Sequence, residues 1–119
     1  MLPAQYRMRR SVDFGTTVKC GVRASQPDLV VYAHKSGSGQ GPLIGFVVSK
    51  AVGSAVDRHL VSRRLRHIAA GMVDQMVPAD RVVVRALPGS RQARSGRLCE
   101  QFTRALKRTR DLQDRGRSL

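Results

Sequence analysis

Three short hydrophobic runs along the chain have the length and the β-branched character of strands. They span residues 29–34, 43–48 and 81–86. Residues 35–42 are rich in Gly and Ser and predict a turn or loop, so the first two runs are expected to pair as an antiparallel hairpin. The third run lies between Pro78 and Pro88 and predicts a separate strand.

Three other segments carry the signals of helices. Ser11 is a suitable N-cap for a short helix over residues 12–20, which Gly21 would end. Residues 54–76 and 95–110 repeat apolar side chains at intervals of three and four, as amphipathic helices do. When each residue advances the helix by about 100°, four side chains of the 54–76 segment fall within one arc: Val61, Leu65, Ile68 and Met72. We expect that arc to face the core.

The predicted order is therefore helix, strand, strand, helix, strand, helix. Because the hairpin and the lone strand can share one sheet, with helices over its face, the fold class is an α+β two-layer sandwich with a small central sheet. The length of 119 residues suits a single domain, which we place at residues 1–110. Residues 111–119 are polar and lack periodicity, which predicts a disordered tail.

The charge of the chain indicates its partner. Lys and Arg total 22 against 8 Asp and Glu, a formal net charge of +14. A polyphosphate releases counterions when such side chains replace them, so nucleic acid is the expected partner, and we favour a folded RNA. An anionic membrane is the other candidate, but no stretch approaches the roughly 18 apolar residues of a spanning helix, and no signal peptide is evident. The expected location is the cytoplasm.

Residues that could perform catalysis or hold a metal do not cluster in the sequence. The acidic residues are scattered, without the pattern of a two-metal nuclease. His59 and His67 are eight positions apart, too far for a chelate across one helical turn, and His34 stands alone. Cys20 and Cys99 predict neither a disulfide nor a zinc site. The sequence therefore indicates no catalytic residue and no metal ligand on the protein itself, and whether the protein holds a metal ion stays open.

The most informative stretch is a strand end followed by Gly53 and a helix with four arginines in its first three turns. These are Arg58, Arg63, Arg64 and Arg66. Helix N-terminal amides and guanidinium groups both suit phosphate oxygens. A solvated charged face would produce the same pattern, but the net charge of the whole chain favours phosphate binding.

This stretch resembles the protein subunit of bacterial ribonuclease P. In that family a strand precedes Ser-Lys-Lys-x-Gly-Asn-Ala-Val, an Arg-Asn-Arg core, a Lys-Arg pair and a further Arg. The residues that match in register are Ser49, Lys50, Gly53, Ala55, Val56, Arg58, Arg63 and Arg66. Three residues depart from the pattern: His59 replaces Asn, Leu60 the second Arg and Ser62 the Lys. Residues 7–14 resemble the family's Arg-Leu-Lys-Lys-x-x-Asp-Phe opening, so the resemblance covers about residues 7–108.

The resemblance implies a ribosomal protein S5 domain 2-like fold with a left-handed βαβ crossover. It also implies the non-catalytic protein subunit of a ribonucleoprotein endonuclease that removes the 5′ leader from precursor tRNA. Magnesium would be bound mainly by the catalytic RNA, and no obligate protein partner is expected. The implied RNA-binding residues are Lys50, Arg58, His59, Arg63 and Arg66. The implied leader cleft is lined by Phe14, Val18 and Tyr32.

Two other functions are compatible with the composition. A structural RNA-binding protein of the ribosomal type would share the charge and the fold class but would take no part in turnover. A self-sufficient nuclease would need an acidic cluster that the sequence lacks. For Phe14 and Tyr32, simple core packing is the alternative to a role in a cleft.

Overall fold

Four strands form a mixed sheet in the computed structural model, which describes residues 2–37 and 41–117. The strands are β1 (Val22–Ser25), β2 (Leu29–Lys35), β3 (Leu43–Val47) and β4 (Asp80–Ala86). Their order across the sheet is β1-β2-β4-β3. The pairs β1–β2 and β2–β4 are antiparallel, whereas β3 runs parallel to β4.

The predicted hairpin of the second and third hydrophobic runs is wrong. β4 lies between β2 and β3, and β3 pairs with β4 instead. The physical reason is that β4 has the most continuously buried strand sequence, since Arg81 and the three valines after it are all buried, as suits a central strand. The predicted loop at 35–42 includes residues 38–40, which lie outside the described residues.

Three α-helices accompany the sheet: α1 (Ser11–Cys20), α2 (Ala55–Ala70) and α3 (Ser95–Arg117). Ser11 is the first helical residue of α1, and the N-cap is Arg10, whose side chain makes no capping hydrogen bond. α2 ends before Gly71, earlier than residue 76, because the chain turns there into a short 3₁₀ segment, Val73–Gln75.

α3 continues to Arg117, which differs from the tail predicted to begin at residue 111. The apolar positions of α3 continue to Leu112, which is half-buried and lies beside Gly21 and His34. One further apolar contact at helical spacing therefore extends the helix past the point where composition alone predicts fraying. Residues 118–119 lie outside the described part of the chain.

The main core lies between one face of the sheet and helices α2 and α3. It includes Val31, Ile44, Val82 and Val84 from the sheet, Val61, Leu65 and Ile68 from α2, and Leu98, Phe102 and Ala105 from α3. The four residues of the predicted apolar arc are all buried, which confirms the periodicity argument. The α+β sandwich is also confirmed.

α1 covers part of the opposite face of the sheet. Gly45 alternates along β3 with Ile44 and Phe46, which belong to or pack against the core, so Gly45 points to the other side. A Cβ atom built on Gly45 would meet the ring of Phe14 in α1. The connection β3-α2-β4 is a crossover between parallel strands, as the family resemblance implies, and its left-handed sense stays a prediction.

Candidate nucleic-acid interface

The arginine-rich helix α2 begins at a tightly defined point. Gly53 has a φ of +154°, and a Cβ there would lie 2.5 Å from Oδ2 of Asp57, so glycine is required. Ser54 is the N-cap: its Oγ accepts the Asp57 N–H at 3.2 Å, while its own N–H donates to Asp57 Oδ2 at 3.0 Å. This capping box fixes the first turn of α2 and with it the direction of Arg58.

The carboxylate of Asp57 has a lowered pKa. The main cause is the hydrogen bond from the Ser54 backbone N–H, followed by the bond from the Ser54 hydroxyl, and the Arg91 guanidinium at 3.8 Å adds a smaller effect in the same direction. All three favour the charged form; burial opposes them with a larger effect than that of Arg91 but does not cancel the two Ser54 hydrogen bonds. Asp57 therefore stays ionised at neutral pH and caps the helix as an anion.

Asp57→Asn is expected to destabilise the protein at neutral pH but not in strong acid. A pKa lowered by folding stabilises the folded state above the unfolded value of 3.8, and that contribution is lost as the pH falls through the folded pKa. Urea unfolding midpoints of the wild type and the variant, measured from pH 7 to below 3.8, should therefore converge at low pH. Asp74→Asn removes an exposed carboxylate as a control, and an equal convergence there would contradict the assignment to Asp57.

α2 forms a ridge with different side chains on its two flanks. With each residue advancing about 100°, Arg58, His59, Ser62 and Arg66 share the flank toward β3. The opposite flank, toward the start of α3, carries Leu60, Arg64 and His67, and Arg63 lies between the two. The predicted RNA-binding residues of the helix therefore lie along one flank and the crest.

We call the five predicted RNA-binding residues the stripe: Lys50, Arg58, His59, Arg63 and Arg66. The arginines of the stripe have no acidic partner within the described residues. Arg63 is exposed, and Arg66 donates from Nε only to the Ser62 carbonyl, at 3.4 Å. Arg58 is half-buried, and its Nε is buried without a hydrogen-bond partner. Lys50 is exposed in the turn that precedes the helix. These cationic side chains are not neutralised inside the protein, which leaves their charge available for a polyanion.

A groove of about 280 Å³ separates α2 from the N-terminal segment; we call it the β3 groove. Its lining residues are Arg7, Met8, Phe14, Ile44, Gly45, Phe46, His59, Ser62 and Arg66. The N-terminal segment is held at the outer edge of β3 because the Met8 N–H donates to the Ile44 carbonyl at 2.9 Å. The groove thus brings Phe14, predicted for the leader cleft, together with His59 and Arg66, predicted for the RNA.

The three predicted cleft residues share the α1 face of the sheet. Tyr32 and Gly45 both pair with Val83, so they form one row across three strands. Phe14 lies over the Gly45 end of that row, and Tyr32 forms the other end; both rings are half-buried rather than enclosed in the core. Val18, one turn along α1 from Phe14, is 44% exposed.

The same face carries exposed arginines that sequence reasoning missed. Arg23 pairs directly with Tyr32, and Arg85 lies two residues from Val83, so both belong to the face that Tyr32 occupies. Arg81 has the same alternation but is buried, and it donates to the carbonyls of Gly41 and Pro78. Period-two alternation could have indicated Arg85, but only the tertiary structure, in which Arg81 is buried and Arg85 is exposed, distinguishes the two.

Across residues 2–37 and 41–117, no three His, Cys, Asp or Glu side chains come together as metal ligands. Asp28 and Asp80, two buried acids, instead bind Arg97 and Lys35. Within the described residues, no helix has both the length and the apolar character of a membrane span. The fold, the arginines of α2 and the β3 groove together define a class of protein. It is a small, basic α+β protein with an arginine-rich crossover helix.

Comparison with known proteins identifies the family. The model of the family described as Ribonuclease P matches residues 2–110, and the chain belongs to that family. The ribonuclease P protein component of Mycolicibacterium vanbaalenii is 55% identical over 112 residues, which cover 92% of this chain and 94% of that protein. The corresponding protein of Mycobacterium tuberculosis is 53% identical over 112 residues, covering 94% and 96%.

Solved structures support the same fold. The RNase P protein of Staphylococcus aureus superposes with a TM-score of 0.78 at 24% identity, covering 86% of this chain and 93% of that one. The RNase P protein of Thermotoga maritima gives a TM-score of 0.73 at 24% identity, covering 86% and 96%. The family membership that residues 47–66 predicted is confirmed by the family model and the curated relatives.

Proposed function

We propose that this chain is the protein component of ribonuclease P. In this role it binds the catalytic RNA and the 5′ leader of precursor tRNA and assists endonucleolytic removal of the leader. The observation that carries the proposal is the β3 groove. There Phe14, a predicted leader-binding residue, lies with His59 and Arg66, two residues predicted to bind the catalytic RNA. One protein surface can then contact the catalytic RNA and the substrate side by side.

The stripe on α2 has the chemistry for the catalytic RNA. Lys50, Arg58, His59, Arg63 and Arg66 offer donors to phosphate oxygens, and none of the arginines is bound to an acid in the described structure. The guanidinium fork can hold two oxygens of one phosphate, which fixes orientation as well as charge. The stripe therefore positions a folded RNA against the ridge.

The α1 face has the chemistry for a single strand. The half-buried rings of Phe14 and Tyr32 can stack on unpaired bases, and the exposed Val18, one turn along α1 from Phe14, adds apolar surface. Arg23 and Arg85 flank this surface and can neutralise the leader backbone. Stacking needs no particular base, which suits a leader of variable sequence.

We place the catalytic groups and magnesium on the partner RNA, and the complex in the cytoplasm without an obligate protein partner. Magnesium prefers carboxylate, phosphate and water oxygens in octahedral geometry, and the described residues contain no group of three His, Cys, Asp or Glu side chains arranged to hold a metal. What the chain contributes is positive charge, which lowers the repulsion between phosphates of the two RNAs and so lowers the magnesium concentration that they need.

The test is to add the purified chain to a bacterial ribonuclease P RNA at a low magnesium concentration. Precursor tRNA should be cleaved at the leader junction only when both are present. The chain alone is the control for a self-sufficient nuclease, and polylysine at matched charge is the control for simple neutralisation. Binding without restored cleavage would favour a structural protein of the ribosomal type and overturn the proposal.

A further inference from the structure

A second groove lies on the other flank of α2, against the start of α3; we call it the α3 groove. It encloses about 410 Å³ and is lined by Leu60, Arg63, Arg64 and His67 of α2 and by Ser95 of α3. Positions 60, 63, 64 and 67 follow the i, i+3, i+4, i+7 spacing of one helix face. The groove is therefore built from a continuous face of the ridge and is separate from the β3 groove.

The lining combines an apolar floor with cationic walls. Leu60 is 44% exposed and supplies the apolar part of the lining between the basic side chains. Arg64 donates to the Ala93 carbonyl at 3.4 Å, which directs its guanidinium toward the segment that precedes α3. Arg63 and His67 are exposed, and neither has an ion-pair partner in the described part of the chain.

We propose that the α3 groove binds one unpaired nucleoside of an RNA together with its phosphate. The apolar face of the base would pack on Leu60 and against the His67 ring, and the phosphate would be bound by Arg63 and Arg64. The volume falls within the range of pockets for small organic ligands. This inference rests on the proposed function and adds to it a subsite that binds an extruded base without selecting its identity.

Leu60 is the residue that favours a nucleoside over a bare phosphate. A phosphate gains nothing from an apolar floor, whereas a base has an apolar face to bury. The family pattern has arginine at this position, and leucine removes a charge while opening an apolar surface between the remaining cations. Arg63 lies on the crest and can hold the phosphate that joins the nucleoside to RNA lying along the stripe.

Chemical-shift titration of the intact chain tests the site directly. Uridine and adenosine 5′-monophosphates should perturb His67, Ser95 and Leu60 in a saturable way, and inorganic phosphate should perturb the arginines but not Leu60. Identical perturbation by phosphate and nucleotides would overturn the base-binding part, and no perturbation of these residues would overturn the site. Leu60→Arg, which fills the floor, should abolish the nucleotide-specific shifts.

Affinity for the catalytic RNA provides the second readout. The double variant Leu60→Ala and His67→Ala, assayed at pH 8, should weaken binding by at least about 5-fold, the lower end for loss of one stacked base, and leave the salt dependence unchanged. Val77→Ala, which truncates a valine of similar exposure outside the groove, is the matched control. Unchanged affinity in the double variant, with cleavage still restored, would overturn this inference alone, whereas nucleotide binding without restored cleavage would overturn only the proposed function.

Discussion

Alanine at Arg58, Arg63 and Arg66 together is expected to weaken binding to the catalytic RNA by about 100- to 500-fold near 0.1 M salt. Each phosphate neutralised contributes about 0.7 to 0.9 to the slope of log affinity against log salt, so the loss of three contacts should lower the slope by about 2.1 to 2.7. Counterion release contributes nothing at about 1 M salt. The slope difference acting over the tenfold change from about 1 M to 0.1 M salt therefore gives the stated loss of affinity. Filter binding over a salt series measures both quantities.

Two companion variants separate the stripe from net charge. The triple lysine variant at the same positions keeps the charge and should keep most of the slope, although it loses bidentate geometry. Alanine at Arg104, Lys107 and Arg108 removes three exposed cations from the outer face of α3 and should have a small effect. If this control weakened binding as much as the stripe variant, general charge rather than the stripe would bind the RNA.

Helical features of the fold were predictable because the information is local. The 3.6-residue period placed Val61, Leu65 and Ile68 in the core, and all three are buried. Gly53 and Ser54 marked the start of α2, where the structure has a positive φ and a capping box. Such signals depend on residues within a few positions of one another, so a single sequence carries them.

Strand pairing was not predictable to the same extent because partner choice depends on distant residues. β2 and β3 are neighbours in sequence with a glycine-rich segment between them, yet β4 separates them in the sheet. β1 escaped detection because it has only four residues and one of them is Arg23. The parallel β3–β4 pair requires the long crossover through α2, which strand composition does not reveal.

The candidate site was likewise predictable where its residues are close in sequence, and not where it joins distant segments. The register of residues 47–66 placed the α2 stripe, but it could not show that Arg7 and Phe46 complete the β3 groove with Phe14. Arg7 reaches that groove only because its segment pairs with Ile44 at the edge of β3. Arg81 and Arg85 are alike in sequence context, and their different burial follows from the tertiary structure.

Gly45→Ala is expected to impair leader binding more than folding. The new Cβ would lie 2.4 Å from Cε1 and 2.5 Å from Cζ of Phe14, and 3.2 Å from Cβ of Met8. Phe14 is half-buried and borders the open β3 groove, so its ring can rotate away from the new Cβ and leave its place beside Gly45 in the row that ends at Tyr32. Loss of one base stack costs about 1 to 3 kcal/mol, or about 5- to 150-fold in affinity.

Equilibrium binding of precursor and mature tRNA to the reconstituted holoenzyme distinguishes this effect from misfolding. Gly45→Ala should lower affinity for the precursor while leaving affinity for mature tRNA and for the catalytic RNA near the wild-type values. Phe14→Ala should reproduce the loss. Gly15→Ala is the matched control. Gly15 follows Phe14 in α1, and a Cβ on Gly15 meets no atom within 4 Å. If Gly45→Ala and Phe14→Ala both bound precursor as the wild type does, the leader would not pass over Phe14, because its displacement or removal would then cost nothing.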